Sequence, residues 1–202
     1  MKTANEPSLL LIAGSILLAI TAIHPHDYLT WWMETAPIFI AVPIFVATYK
    51  RYTLTPLVYR LLFLHALILM VGGHYTYAEV PLGYWMEHWF GFLRNDYDKI
   101  GHFAQGFVPA LLFRELLLRS SPLQRGKLLF TLVTASCLAV SACYELIEWA
   151  AAVTMGQGAD AFLGTQGDPW DTQTDMLMAL IGAVCAQVVL GKVQDGQLVR
   201  RA

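Results

Sequence analysis

The chain has 202 residues, 56% of them hydrophobic and 14% charged, with a net charge of -2 and a mean hydropathy of +0.50. A soluble domain usually carries about 25% charged residues, so this deficit, with its long apolar runs, points to a polytopic membrane protein. The length suits one helical domain, 1–202, without a separate soluble unit, and the charge excludes a nucleic-acid partner, because no basic stripe lies outside the span-flanking clusters.

Six spans are expected, at about 8–23, 32–49, 56–74, 99–119, 128–153 and 170–191. The first follows Lys2 and lacks an A-x-A cleavage site, so it reads as an uncleaved span. The second opens with Glu34 and contains Pro37 and Pro43, which a membrane helix accommodates as kinks. The third carries Arg60, which can snorkel to the near interface, and a mid-span His65 expected to have a hydrogen-bond partner; His74 closes it. The segment 75–98 is the longest connection. Its Trp85, Met86, Trp89, Phe90 and Phe92 suggest a short helix lying in the interface. The fourth span starts with Asp98 and His102 and contains Pro109. The fifth ends with Glu145 and Glu148. The sixth opens with Asp171 and Asp175, where Asp168 reads as a cap and Pro169 as a first-turn residue.

Cys137, Cys143 and Cys185 fall within apolar spans, form no CxxC, and read as small buried hydrophobes. His24-Pro25-His26-Asp27 reads as a polar outer loop. Gly156, Gly158, Gly164 and Gly167 read as turn residues rather than a phosphate loop.

Basic residues fix the orientation. Lys2, Lys50, Arg51, Arg60, Arg114, Arg119, Arg125, Lys127, Lys192, Arg200 and Arg201 gather at one set of ends, with only Arg94 and Lys99 at the other. The positive-inside rule places both termini in the cytoplasm, consistent with six spans. Trp31, Trp32, Trp85, Trp89, Trp149 and Trp170 then mark the outer boundary as an aromatic belt.

Three ionisable pairs at helical spacing fall at that outer boundary: Asp98 with His102, Glu145 with Glu148, and Asp171 with Asp175. Gln105 shares the Asp98–His102 stripe. Ionisable residues inside spans are costly and mark function. Two unit charges 4 Å apart repel by about 4 kcal/mol at an effective dielectric of 20. Protonation, pairing with Arg94 and Lys99, or a divalent cation could relieve this; a structural ion-pair network is the non-functional form. Carboxylates with an imidazole suit zinc, manganese or magnesium, and ligand pairs one turn apart are how a bundle builds an internal metal site.

The stretches Gly73-His74-Tyr75-Thr76-Tyr77, Arg94-Asn95-Asp96-Tyr97-Asp98-Lys99-Ile100-Gly101-His102-Phe103, Tyr144-Glu145-Leu146-Ile147-Glu148-Trp149 and Gly167-Asp168-Pro169-Trp170-Asp171-Thr172-Gln173-Thr174-Asp175-Met176 resemble the YjdF family of bacterial inner-membrane proteins. That resemblance spans nearly the whole chain and implies an inner-membrane location without supplying a reaction. A fainter likeness is to VanZ-like membrane proteins, which pair Asp-Lys-x-x-His-Phe with a later Glu-x-x-Gln and Asp-x-x-x-Asn. Here the second and third motifs end in Glu148 and Asp175, adding two carboxylates.

The expected protein is an all-α bundle, cytoplasmic at both ends. Its expected function is that of a metal-dependent, hydrolase-like enzyme acting on a phosphorylated lipid or lipid-linked envelope substrate. Asp98, His102, Glu145, Asp171 and Asp175 are the expected metal ligands, Glu148 the base, and Arg94 and Lys99 the holders of an anionic headgroup. The alternatives are a proton- or cation-coupled transporter and a non-catalytic membrane scaffold.

Overall fold

A computed structural model describes residues 5–156 and 166–200. The turn readings for Gly158 and Gly164, and the basic residues Lys2 and Arg201, lie outside the described residues. The described chain is helical, with no strand: α1 (Glu6–Thr21), α2 (Tyr28–Thr48), α3 (Pro56–Tyr75), a 3₁₀ turn (Tyr77–Glu79), α4 (Pro81–Phe90), α5 (Tyr97–Ser120), α6 (Lys127–Met155) and α7 (Asp171–Val199).

Helices α2, α3, α6 and α7 are long and apolar enough to cross a membrane. Of the other two expected spans, α1 is shorter, at 16 residues, and α5 is 24 residues long but polar. Polarity in α5 follows from its place. It packs against α3, α6 and α7, so its polar residues face protein rather than lipid. The outer helices instead expose Leu9, Ile12, Ile16, Ile40, Ile44, Val188 and Val189, as lipid-facing surfaces do.

α5 and α7 cross at two glycines. A Cβ on Gly106 would stand 1.8 Å from the Ala179 carbonyl oxygen, and one on Gly182 would stand 2.1 Å from that of Phe103. Small residues permit such close backbone approach between membrane helices. His102 lies one turn from Gly106, and Asp175 about two turns from Gly182, so this crossing sets the distance between their side chains.

The two ends of the bundle are fastened differently. At the basic end, buried Glu115 accepts from Thr55 N (3.0 Å) and Thr55 Oγ1 (2.7 Å), and pairs with Arg119 (2.8 Å). Arg114 donates to Gln194 (3.0 Å) and Asp195 (2.8 Å), and α7 therefore continues to Val199, beyond the apolar run. At the opposite end, His26 N donates to the His74 carbonyl (2.8 Å), and Asp27 caps α2 by accepting from Thr30 N (2.6 Å).

Trp32, Trp85, Trp89, Trp149 and Trp170 are exposed around that second end. Trp31 departs from the expected belt: it is buried, and its Nε1 donates to Thr21 (3.3 Å). α4 is the expected short helix, with Tyr84, Trp85, Trp89 and Phe90 exposed. Its Gly83 lies so close to Asn95 that a side chain would collide with the amide. Of the cysteines, Cys137 is buried as expected, whereas Cys143 is exposed on α6.

Candidate functional site

The N-termini of α5 and α7 and the C-terminal turns of α6 bring all three expected pairs together. Asp98, His102, Glu145, Glu148, Asp171 and Asp175 are all buried, each at most 8% exposed. They form two adjacent groups. His102, Glu145 and Glu148 can each offer one ligand atom within a 4.8 Å cluster, and so can Asp98, Asp171 and Asp175. His102 joins the groups: its Nδ1 lies 3.7 Å from Glu145 Oε1 and its Nε2 lies 3.7 Å from Asp175 Oδ2.

The aspartate group already holds a cation. Lys99 Nζ lies 2.8 Å from Asp175, 2.9 Å from Asp171 and 3.4 Å from Asp98. Arg94 reaches Asp171 at 2.6 Å, Asp96 at 3.0 Å, Asp168 at 3.4 Å and Asp98 at 3.7 Å. Burial opposes the Arg94 charge, but the Asp171 hydrogen bond and the neighbouring aspartates raise its pKa above the ordinary value. Arg94 and Lys99, expected to face an anionic substrate, are therefore turned inward onto carboxylates.

The glutamate group lacks such compensation. No lysine or arginine pairs with Glu145 or Glu148 among the described residues, and Glu145 Oε1 is buried without a hydrogen-bond partner. A buried polar atom left unpaired is costly and calls for an explanation. His102 Nδ1 lies 3.1 Å from Gln105 Oε1. Nδ1 is also the ring nitrogen nearer Glu145, so a cation in this group would meet the Nδ1 lone pair with Nε2–H directed towards Asp175, the usual second-shell arrangement of a metal-binding histidine. An imidazole with one or two carboxylates suits zinc, manganese or magnesium and leaves coordination positions open.

A cavity of about 210 Å³ adjoins this group and is lined by Glu34, His65, Tyr77, Asp98, His102, Tyr144 and Glu148. Glu34 is 3% exposed and accepts a hydrogen bond from Tyr144 (3.2 Å). His65 does not have the partner expected of it: its buried Nε2 has none. These contributions from α2 and α3 escape a search for pairs at helical spacing, because Glu34 and His65 are single residues that reach the site only through packing. Their signal was an isolated ionisable residue within an apolar run.

One sequence expectation needs correction here. Asp168 does not cap the last span. α7 begins at Asp171 without a side-chain cap, and Asp168 Oδ1 accepts instead from Trp170 N (2.9 Å) within the preceding turn. His26 pairs with Glu79 at 3.1 Å on an exposed surface, separate from the cavity.

A family model described as "Predicted membrane protein (DUF2238)" matches residues 7–196. The chain is 55% identical over 186 residues to "Inner membrane protein YjdF" of Escherichia coli (strain K12), covering 92% of this chain and 89% of that protein. No solved structure matches it.

Proposed function

The chain belongs to the YjdF family of inner-membrane proteins, and within that membrane setting we propose, from the site's geometry, that it is a divalent-metal-dependent hydrolase of a phosphorylated lipid or lipid-linked envelope substrate. It is a multi-pass protein of the bacterial inner membrane. The observation that carries the proposal is the uncompensated group at His102, Glu145 and Glu148, with a buried carboxylate oxygen that has no partner.

His102 and Glu145 hold the ion in this reading. A divalent ion there supplies Lewis-acid chemistry, acidifying water and polarising a phosphoryl oxygen. Glu148 lies within the same cluster and also lines the cavity, so it can take a proton from a water molecule attacking a substrate seated there. Lys99 and Arg94 hold the aspartate group in register, with Asp175 supporting the outer edge of His102. In this reading the basic end lies inside, by the positive-inside rule, and the site at the outer leaflet, within reach of lipid headgroups.

The test is reconstitution into vesicles of inner-membrane lipid with zinc, manganese or magnesium, followed by assay of phosphate or headgroup release. Wild-type protein should turn over lipid. Glu148→Gln should keep its metal and lose turnover by about a hundredfold or more. A second reading, a proton- or cation-coupled transporter, draws on His65 Nε2 and Ser141 Oγ, both buried without partners on the way towards the basic end. Gradient-driven uptake with no lipid turnover would replace the hydrolase by that reading.

A further inference from the structure

We propose that the cavity between α2, α3, α5 and α6 binds an organic ammonium group, carried by a free amine or by an amine-bearing lipid headgroup. Ammonium binding stands without a metal; its place beside a bond being hydrolysed rests on the function proposed above.

The acidic side chains of the lining have no basic counterpart. Glu34, Asp98 and Glu148 all contribute, and no lysine or arginine lines the cavity among the described residues. Lys99 and Arg94 stand over the aspartates, Asp98 among them at 3.4 and 3.7 Å, and among the described residues neither pairs with Glu34 or Glu148. His65 also lines the cavity, and its unpartnered Nε2 can accept from an N–H donor when the ring is neutral.

The walls and the volume select the class of cation. About 210 Å³ is room for several waters. A bare proton needs no such space. A hard metal ion gathers oxygen ligands at close range and gains nothing from apolar walls. Here Tyr77 and Tyr144 supply aromatic rings, and Pro37 and Leu69 apolar surface. An alkylammonium uses all of these: carboxylates for its charge, aromatic rings for cation–π attraction and apolar surface for its methylenes.

The cavity also has a side entrance. α2 packs on α3, and α6 on α5 and α7, but α2 and α6 share no extended contact. They meet through the Tyr144–Glu34 hydrogen bond and around Ala151, where Met33 and Met155 pack. Val140 lines the cavity and is 40% exposed on the lipid-facing side of α6. A lipid headgroup could therefore enter between these helices, as could a soluble amine.

The test uses the full-length protein in detergent, titrated with n-butylammonium, n-butanol and potassium chloride, with chelator and with manganese. Butylammonium should raise the melting temperature and bind saturably, while butanol and potassium should not. Glu34→Gln should weaken butylammonium binding by about tenfold, the loss of one charge-assisted hydrogen bond, and leave metal content unchanged. Should that variant fail to fold, His65→Leu serves: it should weaken butylammonium, which has N–H donors, more than butyltrimethylammonium, which has none. Equal shifts with butanol or potassium, no response to butylammonium, or unchanged affinity in both variants would overturn the proposal. In nanodiscs, competition by a phosphatidylethanolamine but not a phosphatidylglycerol bilayer assigns the lipid as source, and its absence assigns a free amine. Wild-type protein that binds butylammonium but no metal would sink the hydrolase and leave the ammonium site standing.

Discussion

Lys99 places its ammonium among Asp98, Asp171 and Asp175, where a second cation would otherwise sit. Two charges of like sign about 4 Å apart repel by about 4 kcal/mol at an effective dielectric of 20, so removing Lys99 leaves the group strongly unfavourable. Lys99→Ala should melt at a lower temperature in chelator, recover with manganese, and bind about one more divalent ion per chain than wild type. Metal content no higher than wild type would show that the aspartates relieve their repulsion by protonation instead. Asp27 gives a second residue-scale outcome. Its hydrogen bonds from the Thr30 backbone N–H hold its pKa below the ordinary value. That stability is present above the unfolded pKa of about 4 and is lost as pH falls through the lower folded value. Asp27→Ala should cost about 1 kcal/mol near neutral pH, read as a lower melting temperature, and the difference from wild type should shrink on acidification below about pH 4. The six paired residues were legible in the sequence because one-turn spacing on three helices is a local pattern. Glu34 and His65 were not, since each joins the cavity from a separate helix with no local partner.

At the scale of elements, α5 is the post around which the site is built. Its polar stripe faces α3, α6 and α7, and its glycine crossing with α7 sets how closely Lys99 and His102 approach Asp171 and Asp175. Gly106→Ala would drive a methyl group into the Ala179 carbonyl. Overpacking of this kind typically costs about 1–3 kcal/mol, with backbone displacement. The expected outcome is a lower melting temperature together with weaker metal binding, although residue 106 touches no proposed ligand. Gly196→Ala, where a Cβ meets nothing within 4 Å and alanine favours the helix, should neither lower the melting temperature nor weaken metal binding. Helix ends were readable from hydropathy within a few residues, apart from α7. There the apolar run stops near residue 191, but Gln194 and Asp195 find Arg114 and the helix continues to Val199. A polar residue that has a partner in a neighbouring helix looks like a terminus in sequence.

For the whole molecule, the polarity of the two ends is the organising feature. One end is tied by Glu115, Arg114 and Asp195; the other gathers exposed tryptophans around a carboxylate cluster. Charge bias and aromatic position were both visible in the sequence, and the charge bias carries the expectation that the tryptophan-bearing end lies outward. What pattern could not give was the division of the cluster into a compensated aspartate half and an uncompensated glutamate half. That depends on where the long side chains of Arg94 and Lys99 swing, which only packing decides. The most direct measurement is metal content of protein purified without chelator, by elemental analysis, for wild type, Glu145→Gln and His102→Ala. A divalent-ion centre in the glutamate half requires about one zinc, manganese or magnesium ion per wild-type chain, lost in both variants while the fold persists. A metal-free wild type that gives no thermal shift when these ions are added would contradict it.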